Sequence, residues 1–131
     1  MIGVMTNLKS FTALALISAT LCLAENQAPF ACNLRAFQPE QRQRWRILLD
    51  KLYAGATQSR ELADGYTFLV DIKQMPLGEV AEWIELERRC CPFFDFVVDV
   101  HGEDGTVWLS LKGRPGVKQF IEGDMPKLRV R

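Results

Sequence analysis

The sequence carries no net charge, with 16 basic residues against 16 acidic ones, and it has a single histidine. That balance excludes the basic surface a dedicated nucleic-acid binder needs, so no nucleic-acid partner is expected. Four cysteines in 131 residues are too few for a disulfide-built scaffold. The chain has no C-x-x-C, no glycine-rich phosphate loop, no paired-histidine motif and no Ser-His-Asp set. Nucleotide enzymes and hydrolases therefore have no support, and a non-catalytic protein is the preferred reading. Gly113-Arg114-Pro115-Gly116 reads as a turn into a helix. No internal repeat or low-complexity tract is present. At 48% hydrophobic and 24% charged residues, the composition suits one packed domain and is too apolar for a disordered chain.

The N-terminus differs in kind from the rest. Lys9 is its one charge, Phe11 to Ala24 is a run of apolar and small residues, and Glu25 is the first acid. A lone basic residue, an apolar stretch of about 14 residues and small side chains before position 25 read as a signal peptide over residues 1–24. The stretch falls short of the roughly 20 residues of a spanning helix, so no stable membrane span is expected after cleavage. Export places the mature protein in the periplasm or outside the cell. A misassigned leader would leave it cytoplasmic. Leu21 is bulkier than lipoprotein processing accepts, which argues against Cys22 as a lipid anchor. Cleavage leaves Cys32, Cys90 and Cys91, an odd number for an oxidising compartment.

Residues 25–37, with Pro29 and no periodicity, form an extended lead-in. Pro39 suits the first helical position, and Trp45, Leu48, Leu49, Leu52 and Ala56 follow the stripe of an amphipathic helix. After the Asp64-Gly65 turn, Tyr66, Phe68, Val70 and Ile72 alternate as a strand. Val80, Ala81, Trp83, Ile84 and Leu86 return to helical spacing, which Pro92 should stop at about Cys90. Residues 94–100 and 107–112 alternate again as a hairpin around a polar turn. Pro115 opens a third helix with Val117, Phe120 and Ile121 on its apolar face, closed by Met125-Pro126. The order α-β-α-β-β-α predicts a small two-layer α+β domain over residues 38–126, with a three-stranded, mainly antiparallel sheet packed against helices. Residues 127–131 are expected to fray. A right-handed crossover sets the first two strands in one direction, so the third inserts between them, order 1-3-2; order 1-2-3 is the alternative. Leu69, Val97 and Trp108 fall opposite the main core, leaving a sheet face for the first helix or for a second subunit in a homodimer.

Glu87-Arg88-Arg89-Cys90-Cys91-Pro92-Phe93-Phe94 is the segment that composition leaves unexplained. Adjacent cysteines bond each other only through a strained ring, so they either present two sulfurs to one soft ion or divide between surface and core. Cys32 is a third candidate ligand, and Glu87, one helical turn before the pair, a fourth. Reactive thiols favour helix N-termini, and this pair sits at a C-terminus, where the dipole disfavours the thiolate. A bound ion deprotonates its own ligands, so coordination suffers less. His101 follows the second strand and, at ~3.3 Å per residue, lies ~25 Å or more from the pair. Topology puts Tyr66 and Arg114 at the cysteine end of the sheet.

Cys32-Asn33-Leu34, Asp64-Gly65-Tyr66, Ala81-Glu82-Trp83, Glu87 to Phe93 and Gly116-Val117-Lys118-Gln119-Phe120 together resemble a family of small uncharacterised bacterial proteins. The resemblance covers roughly Ala31 to Glu122. Similar cysteine pairs occur in proteins of heavy-metal handling, which implies a metal or metalloid role. Three readings follow. The first is a thiophilic ion held by Cys32, Cys90 and Cys91, with Glu87 beside them. The second is a thiol-redox protein with a disulfide from Cys32 to one member of the pair. The third is a structural or interaction module whose cysteines only pack.

Overall fold

The computed structural model describes residues 27–129, so the leader reading and Cys22 lie outside the described residues. A 3-10 turn, Leu34–Ala36, interrupts the lead-in and precedes helix α1, Pro39–Gly55. Pro39 needs no N–H partner there, and the Gln38 N–H donates to Gln41 Oε1 at 3.1 Å. Strands β1 (Ala56–Leu62) and β2 (Gly65–Val70) form a hairpin, and helix α2 (Leu77–Cys90) crosses over to β3 (Asp95–Val100). Strand β4 (Val107–Lys112) returns, and helix α3 (Val117–Asp124) and a second 3-10 turn, Pro126–Leu128, follow.

The class is α+β, but the sheet has four strands, in the order β1-β2-β4-β3, with every pairing antiparallel. The expected three-strand sheet is thus short by β1. Thr57-Gln58-Ser59-Arg60-Glu61 has no apolar alternation, because β1 is an edge strand on which only Ala56 is buried. The other three strands stand as the 1-3-2 reading has them, with β4 inserted between β2 and β3. The first of these ends at Val70, and Ile72 lies beyond it, 42% exposed.

Facing residues across the ladders sort the two sides of the sheet. Tyr66 pairs with Leu111 and Phe68 with Leu109, all buried, and β3 adds Phe96 and Val98 to that side. Onto it pack α1 through Leu48 and Leu52, and α2 through Val80 and Trp83, in one continuous core. Full burial of each such side chain stabilises by about 1.5–3 kcal/mol. Helix α1 therefore lies beside α2, and no helix among the described residues covers the opposite sheet face. There the Arg60 guanidinium stacks 4.1 Å from the Trp108 ring, and Ser110 Oγ donates to Thr67 Oγ1 at 2.9 Å. The tail is a further correction. Leu128 is fully buried in the core, so the fold runs past Met125 rather than fraying at Lys127.

Gly65 sets how closely β2 and β4 approach. A Cβ there would sit 2.0 Å from the Leu111 carbonyl oxygen and 2.8 Å from Lys112 Cα. Both neighbours are backbone and have no rotamer to move into. Gly65→Ala is expected to destabilise by about 3 kcal/mol, read as a lower urea midpoint. An unchanged midpoint would show that the ladder end is already loose.

Candidate thiol site

The site is made where the lead-in crosses the C-terminal end of α2. Arg114 holds the incoming chain, donating to the Ala28 carbonyl and stacking 4.2 Å from the Phe30 ring centroid. Phe30 packs edge-on against Phe93 at 5.1 Å, over Gly116. Gly116 has φ +107°, and a Cβ there would meet the Phe30 ring at 2.6 Å. Further on, the Asn33 N–H donates to the Cys90 carbonyl at 2.9 Å, Arg42 to that of Leu34 at 2.9 Å and Arg89 to that of Ala36 at 3.2 Å. Phe37 then anchors in the core against Trp45, with ring centroids 5.9 Å apart. Cys32 is thus fixed from both sides.

Helix α2 ends at Cys90, as Pro92 requires, and Cys91 caps it by donating its N–H to the Glu87 carbonyl at 2.7 Å. Cys90 and Cys91 are both fully buried, whereas Cys32 is exposed. Cys32 and Cys91 form a disulfide with Cα atoms 5.0 Å apart across 59 residues of sequence. Cys90 is the free thiol among the described residues, its sulfur 3.8 Å from that of Cys91. All three sulfurs lie within 4.8 Å of one another.

Burial pushes the Cys90 thiol up to about 12; the nearby Glu87 charge adds to this, and a backbone hydrogen bond from Asn33 opposes it. This thiol is protonated at neutral pH and is a poor nucleophile on its own. Glu87 is buried as well, and burial pushes its carboxyl up to about 7, against a hydrogen bond from Trp45 Nε1 to Oε2 at 2.5 Å. Its oxygens do not belong to the compact group of three sulfurs. His101 follows β3, at the end of the sheet away from Cys91, and pairs with Asp99 at 3.0 Å. Tyr66 lies at the cysteine end, where its hydroxyl donates to Glu122.

A surface cleft of about 610 Å³ adjoins the sulfurs, with Cys32, Cys90, Asn33, Arg35 and Arg89 among its lining residues. The sequence reading missed Trp45 as the partner of Glu87 and Arg114 as the clamp on the lead-in. Helical periodicity assigns Trp45 to the core stripe, and nothing in that pattern tells that its indole N–H meets a carboxylate 42 residues on. Among the described residues, no helix is long and apolar enough to cross a membrane. The chain matches no protein-family model, no curated protein and no solved structure.

Proposed function

We propose that the reduced protein binds a single soft metal or metalloid ion through the thiolates of Cys32, Cys90 and Cys91, and that the Cys32–Cys91 disulfide is its closed, oxidised form. The observation that carries this reading is the approach of three sulfurs to within 4.8 Å of one another, from two segments far apart in sequence. Sulfur donors select thiophilic ions such as mercuric, arsenite or cuprous over hard cations. Zinc needs a fourth donor, from water or a second copy. Glu87 stays with Trp45 and acts on the site through its charge. Burial keeps the Cys90 thiol protonated at neutral pH, so the ion displaces its proton and affinity rises with pH. Export to the periplasm or beyond belongs to the same proposal. N-terminal sequencing of the native protein would find Glu25 first, and an intact Met1 would remove it.

The test is calorimetry with native mass spectrometry on anaerobically reduced protein titrated with mercuric ion. A single ion per chain is expected, bound more tightly than by glutathione. Cys90→Ser should weaken it by about 100-fold or more, because oxygen is a poor ligand for a soft ion. His101→Ala should leave affinity unchanged. Binding no tighter than that of glutathione, or indifferent to Cys90→Ser, would overturn the proposal. The Cys32–Cys91 pairing favours a second reading, that of a thiol-redox protein. Without ion binding, reversible disulfide exchange with a dithiol would select it.

A further inference from the structure

The cleft beside the sulfurs is far larger than an ion requires. It is an open surface cleft of about 610 Å³, within the range of small-molecule sites and well above liquid water's share of about 30 Å³ per molecule. Arg35 and Arg89 line it, and none of its lining residues among those described is acidic. Both arginines are exposed. Arg89 commits one nitrogen to the Ala36 carbonyl, and the Arg35 side chain has no protein partner among the described residues. Pro29, Leu34 and Pro92 supply apolar wall to the same cleft. Once the Cys32–Cys91 bond is reduced, this opening offers an exposed Cys32 thiol, the buried Cys90 and Cys91 within 4.8 Å of it and two guanidinium groups, a set suited to a ligand with a soft centre and anionic arms.

We infer that the site takes its ion as a complex with an anionic low-molecular-weight thiol, whose carboxylates dock on Arg35 and Arg89 while the ion passes to the protein sulfurs. The inference rests on the ion-binding reading and names the form in which the ion arrives. Guanidinium groups pair bidentately with carboxylates, which orients the complex over Cys32. Exposed Cys32 makes the first new metal–sulfur bond, and the buried pair follows. In the first two exchanges one bond from the ion to a small thiolate breaks as one to a cysteine sulfur forms, and the cysteine proton leaves on the departing thiol. The third cysteine adds to the ion without displacing a ligand and gives its proton to solvent. The ion keeps its oxidation state, and no oxidant or reductant is consumed.

The experiment presents mercuric ion to reduced protein either as its bis-glutathione complex, which is anionic, or as its bis-cysteamine complex, which is cationic. Time-resolved native mass spectrometry follows the transfer. For each complex the wild-type rate is divided by that of the Arg35→Gln/Arg89→Gln variant, which removes intrinsic differences between the two small thiols. For glutathione the ratio should be about tenfold or more at low salt and should shrink as salt rises. For cysteamine it should be near one or below. Arg35→Gln alone, which removes no bond within the protein, should give part of the effect and guards against a folding defect in the double variant. Equal ratios for the two complexes would overturn this inference alone. Transfer from neither complex would overturn the ion-binding reading and this inference with it.

Discussion

Between pH 4.5 and 7 the protein is expected to lose about 3 kcal/mol of stability through Glu87 alone, a loss absent from Glu87→Gln. In the unfolded chain this carboxyl ionises at its ordinary value of 4.5, whereas in the fold burial holds it protonated up to about 7. Across that window the native state binds more protons than the unfolded one, so stability falls as pH rises. The stability is complete below the unfolded value and gone once pH has passed the folded one. Trp45 still finds an acceptor in a glutamine, so the variant keeps its indole hydrogen bond. The amide brings a roughly constant penalty for its buried NH2 group. Urea titrations of the oxidised protein at several pH values would show a sloping wild type and a flatter variant. Parallel slopes would mean that water reaches the Glu87 carboxyl in the folded protein.

Reduction of the Cys32–Cys91 bond is expected to have a still larger effect. Closing a loop across 59 residues restricts the unfolded chain by about 4 kcal/mol in the chain-entropy account. For a domain of this size that corresponds to a fall in Tm of about 20 °C on reduction. Cys32→Ser should melt near the reduced wild type and should not respond to reductant. Mercuric ion added to the reduced wild type should restore much of the loss, because it ties the same two segments together. Cys32→Ser should regain much less, since Cys90 and Cys91 sit on one segment. No change in Tm on reduction would show that the non-covalent clamps of Arg114, Asn33 and Phe37 already hold the lead-in in place.

Legibility in the sequence followed the physics of each element. Strands β2, β3 and β4 were readable because one face of each is apolar and alternates, and the crossover rule then placed β4 between the other two. Strand β1 was not, since an edge strand with polar residues on both faces carries no period to detect. Leu128 was hidden by its basic neighbours, which mask a single core residue in a tail. At the site, the meeting of Cys32 with the cysteine pair was legible through chemistry rather than pattern, three sulfurs being scarce enough to suggest one place. Its surroundings were not. The Trp45 to Glu87 hydrogen bond and the hold of Arg114 on Ala28 join residues far apart, and only the packed fold brings them together.

The inserted position of β4 governs the order in which the chain is able to mature. Both of its ladder partners are made before it, and the β2 edge waits unpaired until Val107–Lys112 has left the ribosome. Cys32, Cys90 and Cys91 emerge earlier still. An oxidant acting on the nascent chain meets two adjacent thiols before the core that tells them apart exists. The finished protein buries Cys90 and gives Cys91 to Cys32. The core that buries Cys90 includes Leu109 and Leu111 of β4, so the two neighbours are told apart in full only with the last strand in place. A Cys32–Cys90 link formed before then would be able to pass to Cys91 by thiol–disulfide exchange.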